Sequence, residues 1–446
     1  MISQCDTVSA SGRREYGRAA PGTQHKRTVR KNMMKKWISL LLALVMLLCV
    51  ACGEKDTGDQ AAPAGVYYEV TGIDPQAAAL TVDGTEIPIE LYCYWIAYNC
   101  SGLEYNLGMM NSMYGLYAEL FNEDGTMKWD MPLDNDLTIA QMVKDKSVES
   151  ALFYATVENM AKEHGVVLTE DDEATLAKSK EAAVEEMGGQ EEFNAYLDQL
   201  GITEASFDRM AADNQLFNGL SALVLQEGSP LYLEDAGYAD YAMYADHILL
   251  TTVDSTTNQP LSEEEIAKKK QTAEDLLSQL QSAQDMPALF AQLADEYSED
   301  PGRESSPNGY IFQSGEFVEP FEEAVKALEP GQLSGLVESD YGFHIILRKD
   351  LTEGLAENAD KKAQLASIHL SSLVQAQADK AKVEYSEEME SIDPAVFYPA
   401  YVALMDQRLG PDTEGSTGSD LSDVPSVDDA ADSANADAAD GDKPAA

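Results

Sequence analysis

Tyr341-Gly342-Phe343-His344-Ile345-Ile346 closes a segment that opens, nearly a hundred residues earlier, on Ala245-Asp246-His247-Ile248-Leu249-Leu250. Both stretches are apolar runs of strand length, each with one histidine among Ile and Leu. A single imidazole on an apolar strand is usually a satisfied core residue, so neither run means much alone. Between them, in fixed order, stand Tyr297-Ser298-Glu299-Asp300 and Gly315-Glu316-Phe317-Val318-Glu319-Pro320-Phe321-Glu322. Two imidazoles, a carboxylate after an aromatic turn and a pair of phenyl rings thus belong to one segment.

From residue 241 to 350 the pattern reads strand, helices, strand, helix, strand, strand. Residues 245–250 are the first strand. Ser262 with Glu265 forms a capping box that opens a helix whose Ile266, Ala273, Leu277 and Leu280 share one face. Residues 287–297 give a second helix, 321–328 a third, and 343–347 the last strand. This ordered set resembles the parvulin family of peptidyl-prolyl isomerases, whose fold has the order βα3βαβ2.

The resemblance implies a site. His247 and His344 match the family's paired histidines, Asp300 a position held by Cys or Asp, and Ser339 a hydroxyl position; these four are the catalytic candidates. Phe317 and Phe321 match the two positions that hold the proline ring, ordinary core aromatics being the alternative. Where the family has Gly-Asp-Leu-Gly-x-Phe, this chain has Pro307-Asn308-Gly309-Tyr310-Ile311-Phe312. The leucine wall of the pocket is missing, and Tyr310 is the candidate to replace it. The expected arrangement has the histidines bonded to each other and orienting Ser339, with Asp300 facing the substrate carbonyl. Residues 251–262 contain no Arg or Lys, so the basic cluster that would pair a phosphate is absent and unphosphorylated proline segments are the expected substrate. No cofactor is implied.

The chemistry suits those residue types. An X-Pro amide has a rotation barrier of ~18–20 kcal/mol and interconverts over tens to hundreds of seconds, slow enough to limit folding. In the twisted transition state the carbonyl loses polarity and the prolyl nitrogen gains a lone pair. A water-poor pocket with an apolar grip and a polar floor favours that state, and ~4 kcal/mol gives roughly a thousandfold. Other chemistries lack their signatures: after Cys52 there is no HExxH, no CxxC, no G-x-S-x-G and no G-x-x-x-x-G-K.

The rest of the 446-residue chain is too long for one ordinary core. Residues 1–32 are basic, unpatterned and read as an upstream extension before Met33-Met34-Lys35-Lys36. The apolar stretch Trp37 to Ala51 is shorter than the ~20 residues of a spanning helix and has a positive front. Residues 33–51 read as a signal peptide. Its end, Leu48-Cys49-Val50-Ala51-Cys52, resembles the lipobox of bacterial lipoproteins, with Cys52 lipidated; Cys49 departs from the usual Leu, and plain secretory cleavage is the alternative. Residues 52–65 read as a polar tether. Cys93 and Cys100 on one helix would stand ~10 Å apart along its axis, beyond the ~7 Å reach of a disulfide, and are expected as free, buried thiols.

Residues 66–240 read as a mainly helical module. Val66 to Ile89 is expected as short strands around Val82-Asp83-Gly84-Thr85, followed by a helix over about 90–99. Four further helices are expected at 147–164, 169–187, 190–200 and 203–226, with Gly188-Gly189 and Gly201 as punctuation. The strand-turn-helix opening resembles the amino-terminal module of PrsA-type and SurA-type foldases. By that resemblance residues 351–409, read as helix over 351–390 and a short apolar segment from 394, pack back on that module. The parvulin domain, residues 241–350, is then an insertion in an α+β protein. Residues 410–446 are acidic, poor in apolar groups and read as a disordered tail.

The formal net charge is −49. Such a surface repels nucleic acid and favours cationic partners, or serves only to keep a secreted protein soluble. The combined expectation is a lipid-anchored foldase on the outer face of a bacterial cytoplasmic membrane. It would isomerise X-Pro bonds in unfolded or nascent secreted polypeptides and act as a chaperone, with a homodimer left open. The alternative is a non-catalytic chaperone lipoprotein whose parvulin domain only binds chains.

Overall fold

The computed structural model describes residues 64–134, 137–254, 257 and 259–409. The expected upstream extension, signal peptide, Cys52 and acidic tail lie outside the described residues, as does nearly all of the tether. No helix among the described residues is long and apolar enough to cross a membrane.

The first element corrects the sequence reading. Val66–Thr71 is a helix, α1, rather than a strand. Its Val and Tyr residues favour strands, but packing decides: the Tyr67 ring lies 5.5 Å from Phe397 and its hydroxyl donates to the Leu200 carbonyl at 2.6 Å. Two strands follow, β1 (Ala78–Val82) and β2 (Thr85–Pro88). They join through Asp83 and Gly84, both at positive φ as a two-residue hairpin turn requires. Helix α2 runs over Ile89–Tyr114, far past the expected end near residue 99. Cys93 and Cys100 lie on it, buried and free. A short hairpin, β3 (Pro132–Asp134) and β4 (Leu137–Thr138), leads into α3 (Ile139–His164). That helix starts eight residues before the expected Ser147 because Thr138 and Gln141 cap it reciprocally. Helices α4 (Glu170–Glu186), α5 (Gln190–Leu200) and α6 (Glu204–Leu225) match the expected spans within a residue.

The next segment contains β5 (Met243–Thr251), α7 (Glu263–Ser282), α8 (Met286–Tyr297), a 3-10 turn at Pro301–Glu304, β6 (Tyr310–Phe312), α9 (Glu319–Lys326), β7 (Val337–Ser339) and β8 (Gly342–Arg348). The four strands form one antiparallel sheet in the order β6-β5-β8-β7. One face carries Ile248, Leu250, Phe343 and Ile345 against Leu276 and Leu280 of α7 and Phe290 of α8. The other carries Ala245, Phe312 and Ile346 against Phe321 and Val325 of α9. With the 3-10 turn as the third helical element, the order is βα3βαβ2.

The chain then returns through α10 (Leu351–Glu357), α11 (Ala359–Ala378), β9 (Val383–Tyr385), α12 (Glu387–Ser391) and α13 (Pro394–Leu409). The expectation of helix throughout 351–390 fails at β9, which pairs with β1 in the register Leu80↔Tyr385 and Val82↔Val383 and completes a sheet β2-β1-β9. Met389, Phe397, Tyr398 and Met405 join Val66, Tyr67, Ile96 and Phe193 in one core. The two ends of the chain therefore build a single helical module, and the parvulin-like domain is inserted between them.

Candidate active site

Register brings the two histidines together. In the β5–β8 ladder His247 faces Ile346 and Leu249 faces His344, so the histidines are diagonal neighbours on one face, a spacing that long or ring side chains bridge. Their rings stack at 5.3 Å and their Nδ1 atoms stand 3.1 Å apart. Gly342, at the tip of the β7–β8 hairpin, has φ +147°, and a Cβ there would stand 2.2 Å from the Leu250 carbonyl. Only glycine lets β8 approach β5 at the point that fixes this register.

Asp300 is stitched to the same sheet by the residues before it. Leu249 donates to the Ser298 hydroxyl at 3.2 Å, Thr251 donates to the Glu299 carboxylate at 2.8 Å, and the Glu299 amide donates to the Leu249 carbonyl at 2.8 Å. From the other side, Arg303 in the 3-10 turn pairs with buried Asp246 of β5 at 3.0 Å and with Asp295 of α8 at 2.7 Å. Asp300 itself caps that turn by accepting from the Gly302 amide at 3.2 Å.

The outcome is a hydrogen-bonded run through five side chains. Tyr310 donates to Asp300 Oδ2, Asp300 Oδ2 meets His247 Nε2 at 3.0 Å, His247 meets His344, and His344 Nε2 meets the Ser339 hydroxyl at 2.7 Å. Burial alone would raise the Asp300 carboxyl, but hydrogen bonds from His247 and Tyr310 outweigh it and hold the group at about 2. Burial, with His247 beside it, pushes His344 down to about 3. Asp300 is thus an anion and His344 neutral at neutral pH. The ionised Asp300 carboxylate can only accept, so His247 donates to it from Nε2. Ser339 also accepts from the Tyr341 amide at 3.2 Å. Both Asp300 oxygens are taken by donors of the protein, which differs from a carboxylate aimed only at a substrate carbonyl.

Four aromatic rings pack over this run. Phe321 lies 5.1 Å from His247 and 5.6 Å from His344, Phe317 stacks on Phe321 at 4.8 Å, Phe312 sits 4.6 Å from Phe317, and Tyr310 sits 5.4 Å from Phe317. Phe321 is fully buried beneath them, whereas Phe317 and Tyr310 keep partly exposed faces. Phe317 and Tyr310 form the exposed side of this ring cluster. The missing leucine has a backbone reason: Gly309 has φ +94°, and a Cβ there would stand 2.5 Å from the Ala245 carbonyl. The next residue, Tyr310, places its ring beside Phe317.

Sequence reasoning missed four contributors. Phe312 completes the ring cluster, and Asp246 and Arg303 tie the Asp300 turn to β5. Glu322, nearly buried, accepts from the Phe317 amide at 3.1 Å, the Ser314 hydroxyl at 3.0 Å and the Gly315 amide, so α9 clasps the loop that carries Phe317. Burial would raise its carboxyl, but those hydrogen bonds hold it below the usual range. An acid within an otherwise apolar strand, and one directly after Phe321, were the available signals.

Comparison with known proteins agrees with this geometry. Residues 247–350 match the rotamase family described as "PPIC-type PPIASE domain". The chain is 36% identical to the "Foldase protein PrsA" of Geobacillus sp. (strain WCH70) over 29% of this chain and 47% of the relative. It is 35% identical to the "Chaperone SurA" of Thiobacillus denitrificans over 22% of this chain and 21% of the relative. The chain therefore spans less than half the length of these curated relatives. A crystal structure of peptidylprolyl isomerase (PrsA) from Bacillus cereus shares 22% identity, covers 60% of this chain and 96% of its own, and has a TM-score of 0.28. Residues 247–350 are a parvulin domain of the PPIC-type peptidyl-prolyl isomerase family, set in a PrsA/SurA-like chain.

Proposed function

We propose that this chain is an extracytoplasmic foldase that isomerises X-Pro bonds in unfolded polypeptides, with its helical module acting as a chaperone and a lipid on Cys52 holding it at the membrane. The observation that carries the proposal is the run Asp300–His247–His344–Ser339 lying against the Phe317 and Phe321 rings. The rings grip the pyrrolidine and exclude water. The polar run forms a rigid floor whose charge is already in place, so no reorganisation is needed as the amide twists. Asp300 disfavours the planar, polar carbonyl and Ser339 offers a hydroxyl at the far end. No bond is broken, and no thiol or cofactor is required.

The test is a protease-coupled assay on a short proline peptide with the full chain. His247→Ala or Asp300→Ala should lower isomerisation by more than tenfold while the melting temperature changes by only a few degrees. Equal loss of both would make these residues structural alone. The full burial of Phe321 favours a second reading, in which the domain binds chains without turning them. Wild-type protein that suppresses aggregation of an unfolded protein yet leaves the proline peptide at its uncatalysed rate would establish that reading instead.

A further inference from the structure

We infer that Tyr310 is a positioning residue of the isomerase site, whose hydroxyl holds Asp300 against His247; this rests on the isomerase reading above. Asp300 Oδ2 takes both the Tyr310 hydroxyl and His247 Nε2, and Oδ1 takes the Gly302 amide. Without the hydroxyl, His247 is the sole side-chain donor left, and its bond then has to fix both the charge and the orientation of the carboxylate.

The surrounding backbone is cut to seat that hydroxyl. Gly302 has no unusual φ, yet a Cβ there would stand 2.5 Å from the Tyr310 hydroxyl oxygen. Glycine is therefore needed for the phenol and not for the turn. Gly309, confined by the Ala245 carbonyl and by Asp246, turns the chain so that residue 310 delivers its ring edge-on to His247, at 87° and 5.8 Å. The other charged and titratable groups around Asp300 are His344 behind His247, Arg303 on the turn and Asp246 on β5. The Arg303 guanidinium is committed to Asp246 and Asp295, and only the Arg303 backbone amide meets Asp300, at its carbonyl oxygen. None of them stands in for the phenol.

Two substitutions perturb this bond from opposite sides. Tyr310→Phe removes the donor and keeps the wall; Gly302→Ala keeps the donor and fills its seat, displacing only the far end of a side chain. In the full chain both should lower kcat on a proline peptide by about tenfold with KM within about twofold, the loss expected of one hydrogen bond to a charged group. Both should move the acid limb of the kcat profile up by about one pH unit. Tyr310→Leu, which leaves an apolar side chain without a hydroxyl at this position, should show the same acid limb. A Tyr310→Phe variant with wild-type kcat and an unmoved limb would overturn the inference, whatever its melting temperature.

Stability gives a readout that does not need activity. Because Asp300 is held below its unfolded value, the stability it contributes is present above pH ~4 and is lost as pH falls through the folded value. The destabilisation of Tyr310→Phe relative to wild type should therefore be full at pH 5 and shrink as the pH falls from about 4 towards 2. A difference that stays constant over that range would overturn the inference, while an inactive wild type showing the shrinkage would sink only the isomerase reading.

Discussion

His344 is the residue whose placement costs the most and tells the most. It lies on a strand buried on both faces, neutral, with its value pushed from 6.5 to about 3 by burial and by His247 beside it. An unfolded chain protonates this histidine near pH 6.5 and the folded one does not until about 3. The unfolded state therefore binds more protons in between, and folding stability falls as pH drops from 6.5 towards 3. The full shift corresponds to at most roughly 5 kcal/mol across that window. Urea titrations at pH 7, 5 and 4 should show this loss, and His344→Gln, which keeps a donor and an acceptor without titrating, should flatten the slope. At this scale the sequence was readable for a physical reason. Histidine, aspartate and serine are costly in an apolar strand or turn and stand out wherever they occur. Asp246, Arg303 and Glu322 did not stand out, because their roles exist only through partners brought in by the fold, and acids are everywhere in a chain of net charge −49.

Elements were legible in proportion to how local their causes are. Helix α5 and strand β8 carry their own periodicity and stop signals, and the sequence placed both within a residue or two. Helix α1 and strand β9 do not: each is six residues or fewer, and each owes its conformation to partners some 300 positions away, Tyr67 to Phe397 and Val383 to Val82. The site depends on one short element of the same kind, the loop from Ser314 to Phe317, which is held by Glu322 of α9. Glu322→Gln keeps the shape but replaces an ionised acceptor of three donors with a neutral amide, whose own NH2 then opposes the Gly315 or Ser314 donor. The expected cost is about 1–3 kcal/mol of stability. Since Phe317 loses its anchor while the histidine run is untouched, KM for a proline peptide should rise several-fold with kcat largely kept. A fall in kcat at constant KM would instead mean that the loop matters to the polar floor.

At the level of the molecule, the parvulin domain is joined to the rest of the chain through two neighbouring strands, and α10 packs beside it where Gly354 lies against Tyr244. The domain enters on β5 and leaves on β8, which are neighbouring strands, and Ala245 faces Arg348 directly, so the two chain crossings lie about 5.5 Å apart or less. The helical module closes by itself, because β9 joins β1, and α13 packs on α1 through Phe397 and Tyr401 while Arg408 reaches Glu69 and Asp198. The second half of α2 presents Tyr105, Met109, Met113 and Tyr114 to solvent, an exposed apolar stripe of the kind the proposed chaperone role calls for. Because the core around Val66, Tyr67, Ile96 and Phe193 contains no residue between 241 and 350, replacing residues 242–349 with a short Gly-Ser bridge should leave a folded protein. Circular dichroism should show the helical content of the remaining residues, and thermal unfolding should stay cooperative. That protein should retain aggregation suppression and lose catalysis of proline isomerisation entirely. If the excised chain instead fails to fold, the inserted domain is part of the module's stability, and the two activities cannot be assigned to separate parts of the chain.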